Sequence, residues 1–579
     1  MKSHFPLILA ASILAPLAVT QAHATALYLA PDGIDSNSCG AYASPCKTVK
    51  RALRTSSGVD RLRQGDQIYF KQGVYTINYA NRNDYSINDF APPLESCATP
   101  TQSNALLLGL DPAATADAVL EMAEDFEDPA VNRNFFGTLM SISKSNCVIL
   151  DGANGAKKRI ILDGKERKFG GLDNPYYLAH EGGPIPDDDD PMPSDASLLQ
   201  VKHDIPANEP PSALSYGGVV IKNMEVRNTR GRGIRVSLYK NVEISNNIVR
   251  NVNYRAIGGF GENVRILNNH VSDAAKINRN NIVFYAKQRS GGWPGVVQMG
   301  GDWTFHSIFP RSKNIVISGN LVEKSWGEGI MCSCDEAQIR GNTVRDTYSV
   351  GIYLHQLSKA LVEQNYIYTT TAWYHRPLQR TPVIPPSPVP DNLRRPMNGF
   401  TLASEQSVHG SIRLSDIQVR NNLIHTTAFG INYWYDSNNP GPDNTYEKIN
   451  ISHNTILNSQ SSHAIYIDTL PPTSMRSPDN LIANNLIERT ASGQDIRVTD
   501  TDLWLISGNY MINRGDYSIF ARLDADRSLH AGSPPYLFRP ATGHPVRNYP
   551  TQSTFTTGVL KDWDLQSRIP FKPIPGIFE

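Results

Sequence analysis

The sequence predicts an all-β protein: a single-stranded, right-handed parallel β-helix (a solenoid), with a helical cap at its amino end and long loops that wall a groove. Three observations predict this fold class. A short strand motif that ends in asparagine recurs along the chain, a second short strand follows each copy, and both carry apolar residues at alternate positions. Because one such unit cannot bury its apolar face alone, we expect the units to stack on one another.

The asparagine motif reads NVEISNNIV at residues 241–249 and NVRILNNHV at residues 263–271. Four of its eight spacings are 22 to 24 residues, and insertions enlarge the others. Asparagine tolerates left-handed turns, and its amide can hydrogen-bond to its counterpart in the next coil. We therefore predict a structural ladder without a catalytic role, formed by the last asparagine of each motif: Asn247, Asn269, Asn320, Asn342, Asn365, Asn422, Asn454, Asn485 and Asn509.

The first 24 residues have the pattern of a secretory signal peptide. Lys2 precedes an apolar run that ends in Ala-His-Ala at residues 22–24, a small-x-small cleavage pattern. No later apolar stretch reaches the roughly 20 residues of a spanning helix, so we expect export to the periplasm or outside without membrane insertion. The predicted organisation is a signal peptide and one β-helix domain over 25–579. That domain comprises the cap and first coils (25–135), regular coils (136–515) and a carboxyl-terminal extension (516–579).

Charge and cysteine content give further information on the type of protein and its compartment. The chain has 55 Lys and Arg against 55 Asp and Glu, which excludes the basic field typical of nucleic-acid-binding proteins. All six cysteines follow the leader, as expected for an oxidising compartment. We predict a disulfide between Cys39 and Cys46, while a pairing of Cys97 with Cys147 stays open. The remaining two, which are two residues apart on a strand, are predicted to be packed thiols in the core: Cys332 and Cys334.

The amino end of the mature chain contains a strand from residue 27, an Asp-Gly-x-Asp turn at 32–35 and a short helix. Thr48 is placed to N-cap that helix, which should run through Leu53. This segment resembles the start of secreted parallel β-helix proteins of the pectate-lyase-like superfamily. The resemblance implies a capped β-helix over nearly the whole mature chain. It also implies one of that superfamily's activities, which include polysaccharide lyases, hydrolases, epimerases and phage tailspikes.

Three long insertions interrupt the coils, at 165–196, 273–313 and 372–397. Each lies between the strand after the asparagine turn and the next Gly-Ile strand, so we predict that all three wall one edge of a groove. The four aspartates at 187–190 are expected to be a solvated loop, with a calcium site as the alternative and no other cofactor or metal. Trp373, Tyr374 and His375 in the third insertion suit either a sugar-facing lid or a plain spacer.

In the Gly-Ile strands, the isoleucine should point inward, and the residues one and three positions later should point outward. The first outward column is predicted to contain Arg235, Gly258, Met331, Tyr353, Thr401, Asn432, Tyr466 and Arg497. The second is predicted to contain Ser237, Phe260, Ser333, His355, Ala403, Trp434, Asp468 and Thr499. The insertion hides one coil, and Lys287 and Arg289 are expected near it. Aromatic rows suit the apolar faces of sugar rings, so we expect a monomer that acts on a linear acidic polysaccharide.

Two reactions compete. Elimination needs a base, an acid and a cation, which Tyr353, His355 and one of Arg255, Lys287 or Arg289 could supply. Hydrolysis needs two carboxyls about 5 to 9.5 Å apart, and Glu328 with Asp335, or Asp436 with Asp468, could meet that spacing. We prefer a lyase that cleaves a uronate polymer by β-elimination. The alternatives are a glycoside hydrolase and a non-catalytic protein of glycan binding or exopolysaccharide assembly.

The candidate catalytic residues are His355, Tyr353, Glu328 and Arg255. The candidate substrate-binding residues are Lys287, Arg289, Trp434, Tyr466, Asp468, Asp436 and Arg235. Residues 348–359 also resemble the catalytic coil of alginate C5-epimerases, whose motif is Tyr-Gly-hydrophobic-Asp-Pro-His. Gly351, Ile352 and His355 match that motif, whereas Val350, Tyr353 and Leu354 depart from it. The resemblance implies a role for His355 and does not extend to the motif's aspartate.

Overall fold

The computed structural model describes the following residues: 24–78, 80–97, 99–123, 138–153, 157–165, 197–203, 215–229, 231–276, 295–300, 312–370, 376–377, 394–404, 413–435, 445–467, 475–476 and 479–516. Within them the chain forms three stacks of parallel strands, which we call face 1, face 2 and face 3. Each coil contributes one strand to each face in turn. Parallel crossovers of this kind are right-handed in about 98% of cases, which gives the right-handed parallel β-helix that the sequence predicts.

Face 1 contains the Gly-Ile strands. Its strands are Ile87–Asn88, Met140–Ser143, Ser197–Lys202, the first parts of Arg232–Ser245 and Ile257–Leu267, Gly295–Met299, Glu328–Cys332, Val350–His355, Asn398–Ser404, Ile431–Tyr435, Ile465–Ile467 and Ile496–Val498.

Face 2 contains the strands that lead into the asparagine turn. They are Ala26–Leu29, Gln67–Phe70, Leu106–Leu110, Val148–Asp151, Gly217–Lys222, the second parts of Arg232–Ser245 and Ile257–Leu267, Ser312–Ser318, Cys334–Arg340, Ser358–Glu363, Arg413–Arg420, Thr445–Ser452, Met475–Arg476, Asn480–Ala483 and Trp504–Ser507.

Face 3 contains the strands that follow the turn. They are Gly73–Ile77, Ala118–Met122, Ile160–Asp163, Glu225–Thr229, Ile248–Val252, His270–Ser272, Leu321–Ser325, Thr343–Thr347, Tyr366–Tyr368, Leu423–His425, Thr455–Leu457, Leu486–Glu488 and Tyr510–Ile512. A separate antiparallel pair joins Arg376–Pro377 to Arg394–Arg395.

The core lies between the three faces and is built from columns of aliphatic side chains. On face 1, Ile330, Ile352 and Phe400 occupy one register position and are fully buried. On face 3, Val322, Val344 and Ile367 form a similar column. Sterics also explain why glycine precedes the inward-pointing residue in several face 1 strands. A Cβ on Gly329 or Gly399 would clash with the carbonyl oxygen of the glycine in the next coil.

The predicted asparagine ladder is present in full. Each ladder asparagine donates from Nδ2 to Oδ1 of the next, at 2.9 to 3.0 Å, over eight consecutive steps. The left-handed conformation, however, lies one residue before each ladder asparagine, with φ between 54° and 68°. Those preceding residues are Asn246, Asn268, Gly319, Gly341, Gln364, Asn421, His453, Asn484 and Gly508.

The cap and two of the disulfide pairings follow the sequence. Thr48 N-caps the helix Val49–Leu53 and accepts a hydrogen bond from the backbone N–H of Arg51. Cys39 is bonded to Cys46, and Cys97 is bonded to Cys147, the pairing that the sequence left open. Within the described residues, the further helical turns are 3₁₀ segments at Leu94–Cys97 and Thr501–Leu503. In the described residues, no helix has the length and apolar character that crossing a membrane requires.

The prediction of free thiols at Cys332 and Cys334 is wrong, since the two form a disulfide. Both side chains are fully buried, as expected. The strand pattern alone misleads because the chain changes face at Ser333: Cys332 ends a strand of face 1, and Cys334 begins a strand of face 2. At this bend the two sulfur atoms converge inside the coil.

The chain has long connections both before and after the strands of face 1, whereas the sequence predicts long insertions only before them. The insertions at 165–196 and 372–397 do lead from face 3 to face 1, as predicted. The insertion at 273–313 is divided by the strand Gly295–Met299, which supplies the coil that the sequence hides. Residues 405–412, 436–444 and 468–474 connect face 1 to face 2 at the opposite edge.

Candidate active site on face 1

The register of face 1 confirms the first predicted outward column. Arg235 pairs with Gly258, Met331 with Tyr353, and Thr401 with Asn432. The column continues through Tyr466 to Arg497. Gln298 occupies the coil that the sequence could not place, between Gly258 and Met331. Sequence reasoning missed Gln298 because its strand of five residues is embedded between two long connections.

Tyr353 and His355 lie on the outer side of Val350–His355, opposite the inward residues Ile352 and Leu354. Their rings are parallel within 4°, with centroids 5.7 Å apart. Both side chains are nearly covered, with 5% and 3% of their surfaces exposed. Tyr353 belongs to a small outer apolar cluster with Met331, Val350 and Ala403. The prediction of an open floor is therefore corrected: the pair shares a face, but that face is covered at these coils.

The next coil places polar groups beside this pair. Thr401, the register neighbour of Tyr353, donates from Oγ1 to Asn432 Oδ1 at 2.6 Å and accepts from Asn398 Nδ2 at 3.4 Å. Arg395 donates from Nη2 to Asn398 Oδ1 at 2.8 Å. Its guanidinium also lies over the ring of Phe429, 5.0 Å from the centroid. Sequence reasoning did not single out Arg395, because it lies at the end of an insertion without strand periodicity.

Further along face 1, aromatic rings stack in a row. Phe429 and Tyr466 have centroids 5.5 Å apart, and Tyr466 and His463 have centroids 5.4 Å apart. The guanidinium of Arg497 lies 5.7 Å from the centre of the Tyr466 ring. Phe429 and Tyr466 are partly exposed and Arg497 is exposed, so this end of face 1 reaches solvent.

Arg255 and Arg235 lie several coils away from the Tyr353–His355 pair. Arg255 is buried beside Tyr254, with its guanidinium 5.1 Å from the ring centre. Its coil lies three steps before that of Tyr353, about 14 Å along the axis, and Arg235 lies four steps before it, about 19 Å away.

Glu328 begins a face 1 strand and is 8% exposed. Asp335 lies beyond the far end of that strand, after Cys332, and the strand alone spans about 13 Å. The two residues thus lie at opposite ends of this strand, on either side of the bend at Ser333, and the pairing of their carboxyls stays a prediction. Asp335 accepts a hydrogen bond from Ser358 Oγ in the next coil.

Several predicted site residues lie outside the described residues. They are Lys287, Arg289, Asp436, Asp468, the aspartates at 187–190, and Trp373, Tyr374 and His375. The backbone of Trp434 is placed opposite Ala403, as the second outward column predicts, and nothing is described of its side chain. Within the described part of the chain, one group has metal-ligand spacing, Asp35 with Cys39 and Cys46, and the disulfide removes both thiolates.

A second polar row runs along the outside of face 3. Arg345 Nε donates to Glu323 Oε2 at 2.6 Å, and His270 Nε2 lies 2.8 Å from Glu323 Oε1. Burial alone would raise the pKa of Glu323, but the hydrogen bonds from His270 and Arg345 outweigh it and the pKa is lowered. Tyr366 Oη lies 2.8 Å from Nε2 of His425, whose pKa burial lowers to about 3. His425 is therefore neutral at ordinary pH.

Comparison with known proteins agrees with this architecture. Residues 212–372 match the family model of the right-handed β-helix region. No curated protein sequence matches the chain. The described strands and the family match together confirm the predicted fold class.

Three solved structures are similar at low identity. A polysaccharide lyase of the PL6 family from Pseudopedobacter saltans has 13% identity and a TM-score of 0.40, over 78% of this chain and 89% of that one. A polygalacturonase from Erwinia carotovora has 11% identity and a TM-score of 0.37, over 84% and 97%. The A-module of a mannuronan C-5 epimerase from Azotobacter vinelandii has 12% identity and a TM-score of 0.36, over 71% and 91%.

These three similarities assign no reaction to the present chain. Their identities and TM-scores are too low to transfer residues or substrates, and their names cover three different reactions. The chain is thus a right-handed parallel β-helix protein, as the resemblance to the pectate-lyase-like superfamily predicts.

Proposed function

We propose that the protein is an exported, polysaccharide-active enzyme that cleaves a uronate-containing glycan by β-elimination at face 1. The observation that carries this proposal is the geometry of Tyr353 and His355. Two groups able to transfer protons lie side by side on the outer side of one strand, with their rings parallel and 5.7 Å apart. That separation lets one sugar residue contact both.

The chemistry uses both side chains. A base removes the proton from C5 of the uronate, the C4–O4 bond breaks, and a double bond forms between C4 and C5. The leaving oxygen takes a proton from an acid. An imidazole suits the first transfer and a phenol the second, because each can hold or release a proton within hydrogen-bond reach. We assign His355 as the base and Tyr353 as the acid.

Access to the pair is the main requirement of this proposal. Because the two side chains are 5% and 3% exposed, a sugar reaches them only when the cover over these coils moves away. Such closure over a reacting pair also excludes water and strengthens the electrostatic interactions inside.

Glycan binding without turnover is the second candidate. It is favoured by the contrast in exposure: the proton-transfer pair is covered, while Phe429, Tyr466 and Arg497 reach solvent. An aromatic row flanked by cations can hold an acidic glycan without any reaction.

The test is a screen of the mature protein against alginate, pectate, glycosaminoglycans and bacterial exopolysaccharides. Ultraviolet absorbance of the unsaturated product and new reducing ends are followed together. The variants are His355→Ala and Tyr353→Phe. Each variant has a matched control outside the groove. His270→Ala on face 3 removes an imidazole, as His355→Ala does, and Tyr28→Phe on face 2 removes a phenol hydroxyl, as Tyr353→Phe does.

Elimination predicts that both signals rise with the wild-type protein and the two controls, and that both are lost in the two face 1 variants. Reducing ends without absorbance would contradict elimination and support hydrolysis. Binding without either signal would support the second candidate.

A further inference from the structure

Arg395 is a partly buried cation at the start of a face 1 coil. It ends the short antiparallel pair just before face 1 resumes at Asn398, one coil beyond Tyr353. The side chain is partly buried, and burial lowers the pKa of its guanidinium. A cation in this environment ordinarily has a carboxylate partner, because removing a charge from water is costly.

No carboxylate contacts Arg395 in the part of the chain that the structure describes. Its contacts there are the amide oxygen of Asn398 and the ring of Phe429. Two arginines on the outside of the solenoid do have such partners: Arg227 is bonded to Asp163, and Arg420 is bonded to Glu363. A guanidinium has five N–H donors, and one of them serves Asn398, so most of its hydrogen-bonding capacity is available.

The surroundings of Arg395 match the chemistry of an acidic sugar. The guanidinium is a planar fork that binds carboxylates through two parallel hydrogen bonds. The rings of Phe429 and Tyr466, stacked 5.5 Å apart, offer apolar area next to it. Asn432 lies on the same outer column and has an amide that can contact sugar hydroxyls.

We propose that Arg395, Phe429 and Tyr466 form a subsite that binds the carboxylate and ring of a uronate. It spans the three coils that follow the coil of Tyr353. Arg395 precedes the strand one coil away, about 5 Å along the axis, Phe429 precedes the strand two coils away, and Tyr466 lies three coils away, about 14 Å along the axis. The assignment deepens the proposed function and rests on it for the identity of the ligand as an acidic glycan. Because all three residues lie beyond the coil of Tyr353 and His355, the subsite binds a neighbouring sugar, and Arg395 takes no part in the proton transfers but determines specificity.

The experiment compares Arg395→Met, which removes the charge at similar length, with Arg395→Lys, which keeps the charge and loses the fork. Arg265→Met on face 2 is the matched control, since it removes an exposed guanidinium outside the groove. Calorimetric titration uses oligogalacturonate, oligoalginate and hyaluronan oligosaccharides, each with its carboxyl-reduced form. Thermal unfolding without ligand is measured for every variant.

We expect at least one acidic oligosaccharide to bind the wild-type protein, and Arg395→Met to weaken that binding by about tenfold or more. Arg395→Lys should give an intermediate loss. The carboxyl-reduced form should bind the wild-type protein as weakly as it binds Arg395→Met. The melting temperature of Arg395→Met should equal or exceed that of the wild type, because the substitution removes a desolvated charge without a counter-ion.

Three results would overturn the subsite: equal affinity of wild type and Arg395→Met, no binding by any acidic oligosaccharide, or a marked loss of stability in Arg395→Met. Because the readout is binding, failure of turnover is a separate outcome. If no glycan is cleaved but acidic binding still depends on Arg395, elimination is wrong and the subsite stands.

Discussion

The asparagine ladder and the first outward column of face 1 run through the same coils, yet they differ in composition. The ladder repeats one residue and one hydrogen bond at every step. The column changes at every coil, and it includes Gln298, Met331, Tyr353, Thr401, Asn432 and Tyr466. A position inside the turn must satisfy the same backbone groups in each coil, so the residue is fixed. A position on the outside meets no such demand.

The largest effect is expected from breaking the ladder with Asn342→Ala. The Asn342 side chain accepts from the backbone N–H and Nδ2 of Asn320, and it donates to Ile317 O and Asn365 Oδ1. Because all four partners are buried, the variant should lose about 4 kcal/mol of unfolding free energy, measured by denaturant titration. Arg340→Ala, an exposed change two residues earlier, is the control. A loss below about 1 kcal/mol would show that the ladder is dispensable.

An intermediate effect on stability is expected on face 3, where outward-pointing side chains differ from coil to coil but still stabilise the fold through ion pairs. Glu323 has a lowered pKa, so its ion pairs stabilise the fold above its ordinary pKa, and that stability is lost as pH falls through the lower folded value. Glu323→Gln should cost about 2 kcal/mol at neutral pH, and the difference from wild type should vanish in acid. Unfolding measured between pH 3 and pH 7 tests this. A pH-independent difference would mean that packing, and not charge, sets the role of Glu323.

The smallest effect is expected on the outer column of face 1. Thr401→Val keeps the shape and removes the hydrogen bond to Asn432, so it should cost about 1 kcal/mol in unfolding free energy. Thr401 also lies next to the proposed groove. For Thr401→Val, we therefore expect the loss of binding free energy for acidic oligosaccharides to exceed the loss of unfolding free energy. If Thr401→Val lost as much stability as Asn342→Ala, the outward column of face 1 would be as important for the fold as the asparagine ladder, which would contradict the comparison.

The sequence predicts the elements whose causes are local. Alternation, the 22 to 24-residue repeat and the N-cap at Thr48 each depend on neighbouring residues, and the structure confirms all three. The outward column is also predicted, because strand parity decides which side chains leave the core.

Features that depend on how the chain bends, or on residues far away in the sequence, were not predictable. The Cys332–Cys334 disulfide needs the bend at Ser333, which no alternation pattern reveals. The covering of Tyr353 and His355 depends on groups from other coils, so residue type gave no sign of it. Arg395 becomes notable only when its surroundings are known to lack a carboxylate in the described residues.

The ladder also gives the two ends of the solenoid opposite chemical character. At its start, Oδ1 of Asn247 accepts from the backbone N–H of Met224, so the first rung is closed by a main-chain group. At its other end, Asn485 donates to Asn509 Oδ1 and Asn509 Nδ2 donates to Ile482 O, but within the described residues Asn509 has no next rung to donate to. The carboxyl end of the stack is therefore a donor end. Any segment that closes it must bring an acceptor, and a truncation or fusion at that end should be designed to supply one.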